Sequence, residues 1–523
     1  MLFIEPSFLF VFLPLFLAAY YGALRFGGLH AALAAVIVCS FIFYSPYGGL
    51  FFCIFVASMA VNLTAGLLLI GPAVENPRAR QAIMFAALVY DFSMLGLFKY
   101  ANAVWGLLGP SGASTLIDYG IPAGISFYTF HQAVFIADAY YRRPEVVGFL
   151  TDVGGGGRTL KGAIRYLAFA SFFPQLIIGP IVYMSEFAGQ IAGRKSLKPR
   201  WVDFDVGLSL MVIGLFKKIV IADELSRFVD PVFDGYASGN ATTASVAWLA
   251  SLGYFAQLYF DFSGYSDLAV GIARLFGIRL PANFDSPLRA TGIVDFYKRW
   301  HMTLTRVIAR FVFTPLSMAG TRFAMRNRLS RLGLKLFSAW LPFLLNFLAI
   351  ALWHGAASTF LVFGIIHAIW YVLETEAKTT ALWRRYKAAT SEIFRRRAGQ
   401  ALTFLPLMLT FSLFRSANLT AFNTLLSSMA GLEKASGKPA KVQIAHLAIT
   451  ALAFAIIWLL PNAYEFFRRY RPAIMPFANL STTPDMLRFA WRPNLIWALV
   501  IMGLGIAVVA NLNRPAPFLY QGF

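Results

Sequence analysis

Two histidines carry the chemical interest of this sequence. His354 ends an apolar run, "FLAIALWH", and is followed at once by Gly355 and two alanines. Small residues at that point let a second backbone or a ligand come close. An imidazole there is a candidate for proton transfer, because histidine changes charge near neutral pH. The plainer alternative is a helix-end histidine bonded to a carbonyl. His301 closes the stretch "FYKRWH". Lys298 and Arg299 beside it suit an anionic, phosphate-bearing ligand. The same cations, with Trp300, equally suit an anchor in the headgroup layer. Trp300 and Trp353 directly precede the two histidines and are candidate ligand contacts by position.

A third unusual stretch is "YFDFSGYSDLAVGIARLFGIRLPANFDSP", residues 259–287. Asp261, Ser263, Tyr265, Ser266 and Asp267 interrupt an apolar run, and a buried carboxylate needs a partner. Asp261 and Asp267 are expected to pair with cations of the "YKR" stretch or to hold a hydroxylated ligand. Of the other histidines, His367 reads as a buried structural residue, and His131, His30 and His446 rank lower. None shows the i, i+4 spacing of a metal pair, so no metal site is expected. "GGGG" at 154–157 lacks the Gly-Lys-Ser/Thr ending of a phosphate loop and reads as a linker.

These residues sit in a chain of 523 residues, 59% hydrophobic and 13% charged. Apolar runs recur from end to end, several near the ~20 residues of a membrane-crossing helix. They fall near 7–22, 28–46, 48–70, 82–99, 121–140, 163–183, 204–222, 243–262, 265–277, 303–318, 336–353, 357–373, 401–414, 443–461 and 491–511. This predicts one all-α polytopic membrane domain over 1–523, with about eleven spanning helices and shorter elements besides. The net charge of +21 is explained by basic loops on one membrane side, not by nucleic acid. Loops 142–165, 322–335 and 374–397 are expected inside the cell, and loops 110–120 and 229–242 outside. The amino-terminal segment reads as a first membrane helix, beginning outside with Arg25 inside. Segments 163–183 and 303–318 have basic loops at both ends, which predicts two re-entrant elements. "SFFPQLIIGPIV" at 171–182 is too rich in proline and glycine for a straight helix. Cys39 and Cys53 read as small buried hydrophobes.

The ordered set "GISFYTFH" (124–131), "SFFPQLIIGPIV", "FKKIVIADELSRFVD" (216–230), "DFSGYSDLAVGIARLFGIRLPANFDSP" (261–287), "FYKRWHMTLT" (296–305), "LWHGAASTFLVFGIIHAIWYVLE" (352–374), "LFRSANL" (413–419) and the terminal "FLYQGF" resembles the membrane-bound O-acyltransferase family. The likeness is to the bacterial branch that holds the alginate O-acetylation and teichoic-acid D-alanyl transfer proteins. It runs through nearly the whole chain.

The resemblance implies a ring of helices around a thinned centre, with cytoplasmic and outer funnels. It implies transfer of an acyl group, acetyl first, from a cytoplasmic thioester to an exported polysaccharide such as alginate. His354 corresponds to the catalytic histidine of the family's "WHG" motif and His301 to that of "RWH". Lys298, Arg299, Trp300, Trp353, Asp261, Ser263 and Tyr265 are candidate substrate contacts. The donor implied is acetyl-CoA or another acyl thioester, with no tightly bound cofactor. The setting implied is the bacterial inner membrane, with an extracytoplasmic acetyltransferase of SGNH type or an anchor protein as partner. The run after "RWH", "IARFVFTPLSMAG", lacks the tyrosines and paired glycines common in the branch, and His131 stands where a glutamine is usual. A membrane scaffold or a transporter is the different class of function left open, the latter because it too uses broken helices.

Overall fold

The computed structural model of the chain describes residues 2–108, 120–151, 160–192, 199–436, 444–476, 490–512 and 518–519. The "GGGG" linker and most of loop 110–120 and of the terminal "FLYQGF" lie outside the described residues. Among the described residues every named element is a helix. One isolated bridge, between Pro281 and Ile474, is the sole extended pairing. Among the described residues, five helical segments are long and apolar enough to cross a membrane: Phe8–Tyr47, Gly49–Ile70, Pro77–Gly106, Arg331–His354 and Ser358–Ala377. Ile444–Leu459 and Leu495–Asn511 are apolar but shorter.

Prolines shape several of these helices. Proline removes an i→i−4 hydrogen bond and its ring pushes on the preceding turn. Pro14, Pro315 and Pro342 each follow a π-helical turn: Phe8–Phe12, Ala309–Phe313 and Leu336–Trp340. Widening the turn before the ring lets the helix run on. That is how segment 303–318 stays helical across Pro315. Met302–Ile308, the π turn and Thr314–Arg326 form one helical run. It reverses at 327–330 into Arg331–His354. Gly320 makes the crossing close, since a Cβ there would lie 1.8 Å from the Phe337 carbonyl oxygen.

Segment 163–183 is broken. Leu160–Ser171 is a 12-residue helix, roughly 18 Å long and too short to span a bilayer core. It ends at Phe172, a four-residue helix Phe173–Leu176 follows, and residues 180–183 are non-helical. The first two apolar runs join through a kink at Gly28, whose φ of 75° suits glycine. Residues 229–237 belong to the helix Asp223–Ala237 rather than to a loop. Cys39 is half-buried and Cys53 exposed, because apolar positions of a spanning helix face outward as well as inward.

The two runs 243–262 and 265–277 are one 32-residue helix, Ala244–Leu275, almost wholly buried. The expected break at the aspartates is absent because their charges are answered there. Lys217 Nζ lies 2.6 Å from Asp267, and Lys218 Nζ lies 2.5 Å from Asp261 and 2.8 Å from Asp223. The partners are thus the lysines of "FKKIV", on the neighbouring helix, and not the "YKR" cations. Glycines let the two helices close on each other. A Cβ on Gly214 would fall 2.6 Å from the Gly264 carbonyl, and one on Gly271 would fall 2.7 Å from the Gly207 carbonyl.

Breaking one of these buried pairs leaves an uncompensated charge. Lys217→Met is expected to cost about 3–5 kcal/mol, read as a fall in thermal stability of the detergent-purified protein. Adding Asp267→Asn should restore most of the loss. Equal losses in the single and double variants would contradict the pairing.

Candidate functional site

The helix Leu341–His354 stops at its last residue. Gly355 adopts φ 155°, and a Cβ there would press to 3.1 Å on the Phe360 ring. The chain then re-enters as Ser358–Ala377, which packs so tightly on its predecessor that a Cβ on Gly364 would meet Ala351 at 2.9 Å. This fixes the His354 ring among aromatic walls. Phe414 meets it edge-on at 4.8 Å and Trp353 at 4.6 Å between ring centroids.

His301 arrives from a different direction. The loop after the helix Ala244–Leu275 runs to the short helix Ile293–Tyr297 and on to His301. His301 itself has the left-handed conformation, φ 42° and ψ 50°. Non-glycine residues seldom hold it without restraint, and the restraint here is Asn283. Its main-chain carbonyl accepts from Met302 N–H at 3.0 Å. Its side-chain Oδ1 lies 3.0 Å from His301 Nδ1 and accepts from the Thr303 hydroxyl at 2.9 Å. The Thr303 oxygen accepts in turn from Ile181 N–H. Every proton in that chain therefore has one direction. Nδ1 of His301 donates to Asn283, which leaves Nε2 as the nitrogen that carries the lone pair whenever the ring is neutral. Among the described residues no protein group hydrogen-bonds that Nε2.

The two histidines line one cavity, together with Tyr297, Trp300, Ile350, Phe363 and Phe414. Its volume, about 20 Å³, takes one water-sized group. A larger reactant requires aromatic side chains to move. Trp353 touches both rings, with centroids 4.6 Å from His354 and 5.7 Å from His301, and is not among the residues lining the cavity. Phe127 and Phe130 of "GISFYTFH" back it from behind. Lys99 stands over the Trp353 ring at 5.3 Å and donates to the Trp353 carbonyl.

The remaining sequence candidates fall elsewhere. Trp300 lines the cavity and stacks on Phe296. Lys298 is exposed. Arg299 is engaged by Asp295 at 2.8 Å and by the Asp285 carbonyl at 3.2 Å. Asp261 belongs to the lysine pairs and also accepts from Leu519 N–H at 3.2 Å. Tyr265 stacks between Phe3 and Phe518. Ser263 is buried on the same helix. Asp261, Ser263 and Tyr265 are not among the residues lining the histidine cavity. His367 is fully satisfied: Tyr297 O–H donates to Nδ1 at 2.6 Å, and Nε2 donates to Thr410, whose own proton goes to main-chain carbonyls. His131 is buried beside Phe169.

Asn283 and Lys99 were missed by sequence reading. Asn283 sits in "PANFDSP" and looks like an ordinary turn residue. Lys99 did leave a signal, as the lone cation ending the apolar run 82–99, and an ionisable residue in such a run is a functional candidate by default.

A helical chain with five apolar spans among the described residues, and two histidines lining one aromatic cavity, defines a class: a polytopic membrane protein with a polar site enclosed by its helices. Comparison with known proteins narrows the class. The family model for "MBOAT, membrane-bound O-acyltransferase family" matches residues 157–420. The chain is 32% identical to the peptidoglycan O-acetyltransferase of Helicobacter pylori, over 83% of its own length and 81% of the relative's. It is 28% identical to the probable alginate O-acetylase of Pseudomonas putida over the whole of both chains. The teichoic acid D-alanyltransferase of Streptococcus thermophilus is 25% identical over 58% of this chain and 70% of that protein. The chain belongs to the membrane-bound O-acyltransferase family, and it is an O-acyltransferase.

Removing the Asn283 side chain strips His301 of its tautomer and its turn of an acceptor. Asn283→Ala is expected to destabilise by about 1–3 kcal/mol and to lower acyl transfer at least ~10-fold, as loss of a ligand-orienting partner does. Transfer rate and membrane abundance are measured together. Full activity at normal abundance would show that His301 needs no such support.

Proposed function

We propose that the protein passes an acetyl group from a cytoplasmic thioester, acetyl-CoA or an acyl carrier, to hydroxyls of an exported or cell-surface polysaccharide. The names of two relatives, for O-acetylation of peptidoglycan and of alginate, support both the acyl group and the acceptor class. The observation that carries the mechanism is the meeting of His301 and His354 in one buried cavity.

In this reading His354 is the general base. A sugar hydroxyl is a weak nucleophile, and it must lose its proton as its oxygen attacks the thioester carbonyl. The imidazole takes that proton, the new C–O bond forms, the C–S bond breaks, and the departing thiolate is protonated. His301, whose Nε2 can accept, holds a neighbouring hydroxyl of the acceptor sugar, because the single proton of the reacting hydroxyl goes to His354. It polarises the thioester carbonyl only after it has gained a proton itself. Trp353 packs against both rings and holds their orientation.

The wider arrangement is part of the proposal. About eleven crossings in one unit over 1–523 surround a thinned centre, with a donor funnel from the cytoplasm and an acceptor funnel outside. The bacterial inner membrane is the setting. An extracytoplasmic acetyltransferase of SGNH type, or an anchor protein, receives or finishes the transfer. "FYKRWH" then lies on the donor side of the cavity.

The test is the acyl-ester content of surface polysaccharide in a strain lacking the gene, complemented with wild type, His354→Ala or His301→Ala. Wild type should restore esters, and each variant should fall by at least ~10²-fold at equal membrane abundance. Full restoration by His354→Ala would remove the base from the mechanism.

A further inference from the structure

A second cavity is built largely of arginine. It measures about 310 Å³ and is lined by Arg200, Asp203, Arg274, Arg279, Arg469 and Arg471, among others. It lies where the start of the helix Trp201–Leu215 meets the end of Ala244–Leu275. None of these residues lines the histidine cavity.

Its walls are held in place, among the described residues, chiefly by Arg274 and by main-chain bonds. Arg274 is the frame. It is buried, pairs with Asp203 at 2.9 Å, and donates to the carbonyls of Tyr470 and Arg471 at 3.2 and 3.5 Å. The Arg471 backbone is left-handed, with φ 46°. The Pro281–Ile474 bridge, through bonds of 2.7 and 3.0 Å, ties the loop after Arg279 to the turn that carries Arg469 and Arg471. Gln190 clamps the Arg279 main chain on both its N–H and its carbonyl. Asp203 answers Arg274 and is the one acidic residue of the lining. Arg200, Arg279, Arg469 and Arg471 supply four further positive charges to the same space.

Guanidinium groups facing one cavity repel one another, and an anion relieves that repulsion. The planar fork of each guanidinium matches phosphate oxygens two at a time. We propose that this cavity binds a ligand carrying more than one phosphate group. Two sources share that chemistry: the nucleotide end of a soluble acyl thioester, and the two-phosphate headgroup of an anionic lipid such as cardiolipin, with phosphatidylglycerol as the one-phosphate comparison. The first source rests on the donor reading above and moves the phosphate contacts from Lys298 and Arg299 to this pocket. The second stands without that reading.

The experiment measures binding without turnover. Purified full-length protein is titrated with radiolabelled coenzyme A, and its retained lipid is measured by native mass spectrometry after exchange into phosphatidylglycerol and cardiolipin. Arg279→Ala/Arg469→Ala should weaken one of the two probes by at least about tenfold, and raised salt should weaken the same probe in wild type. Loss of coenzyme A alone assigns the site to the donor, and loss of anionic lipid alone assigns it to the bilayer. Arg469→Ala alone, at an exposed position, provides a variant that spares the fold, with Arg469→Lys expected to recover part of the binding. Wild type holding neither probe above a control membrane protein, or well-folded variants holding both unchanged, overturns the proposal. Because no transfer is measured, a site that fails here leaves the roles of His301 and His354 untouched, and a failed base at His354 leaves the phosphate site standing.

Discussion

Polar groups taken out of water must be answered by other protein groups, and this constraint organises the molecule. Its largest instance is the helix Ala244–Leu275, which carries Asp261 and Asp267 through the centre of the fold. Each carboxylate meets a lysine of the adjoining helix within 2.6 Å, and glycines on both helices bring the backbones close enough for the lysines to reach. The loop that leaves the far end of this rod carries Asn283. Asn283 in turn fixes the turn, the tautomer and the position of His301. The placement of the His301 ring thus rests on the ion-paired helix itself: Phe262, beside Asp261, meets that ring at 4.7 Å, and Ser266, beside Asp267, accepts from Asn283 at 3.4 Å.

The second ring is placed by packing. His354 ends its helix because Gly355 and the alanines after it let the chain reverse at once, and Gly364 seals the two helices together. Aromatic side chains then enclose the imidazole on several sides. Trp353 belongs to both arrangements, since it touches the His301 and the His354 rings. Polar satisfaction on one side and steric closure on the other converge on a space about one water wide. Acyl transfer there demands that the aromatic walls part for the reactants and exclude solvent once they close.

Much of this was legible in the residues. Apolar length announced the membrane, and His354 and His301 stood out by their neighbours, Gly355 on one side and the "YKRW" run on the other. Illegible parts depended on partners far apart in the chain. Asp261 and Lys218 are 43 positions apart, so the aspartates looked like a break in the helix when they are its ion-paired interior. The helical continuity of 302–326 was hidden too, because no sequence rule shows that a π turn before Pro315 lets a helix continue. Asn283 was hidden for a similar reason: its importance lies in what it faces, and an asparagine between prolines reads as a turn.

The central claim is that an acyl group crosses the membrane through the cavity shared by His301 and His354. It is tested most directly in sealed proteoliposomes of uniform orientation, with labelled acetyl thioester outside on the donor face and acceptor polysaccharide with any required partner inside. The account predicts labelled ester inside with wild-type protein and none above background with His354→Gln, at equal protein in the vesicles. Equal label inside with His354→Gln would contradict it.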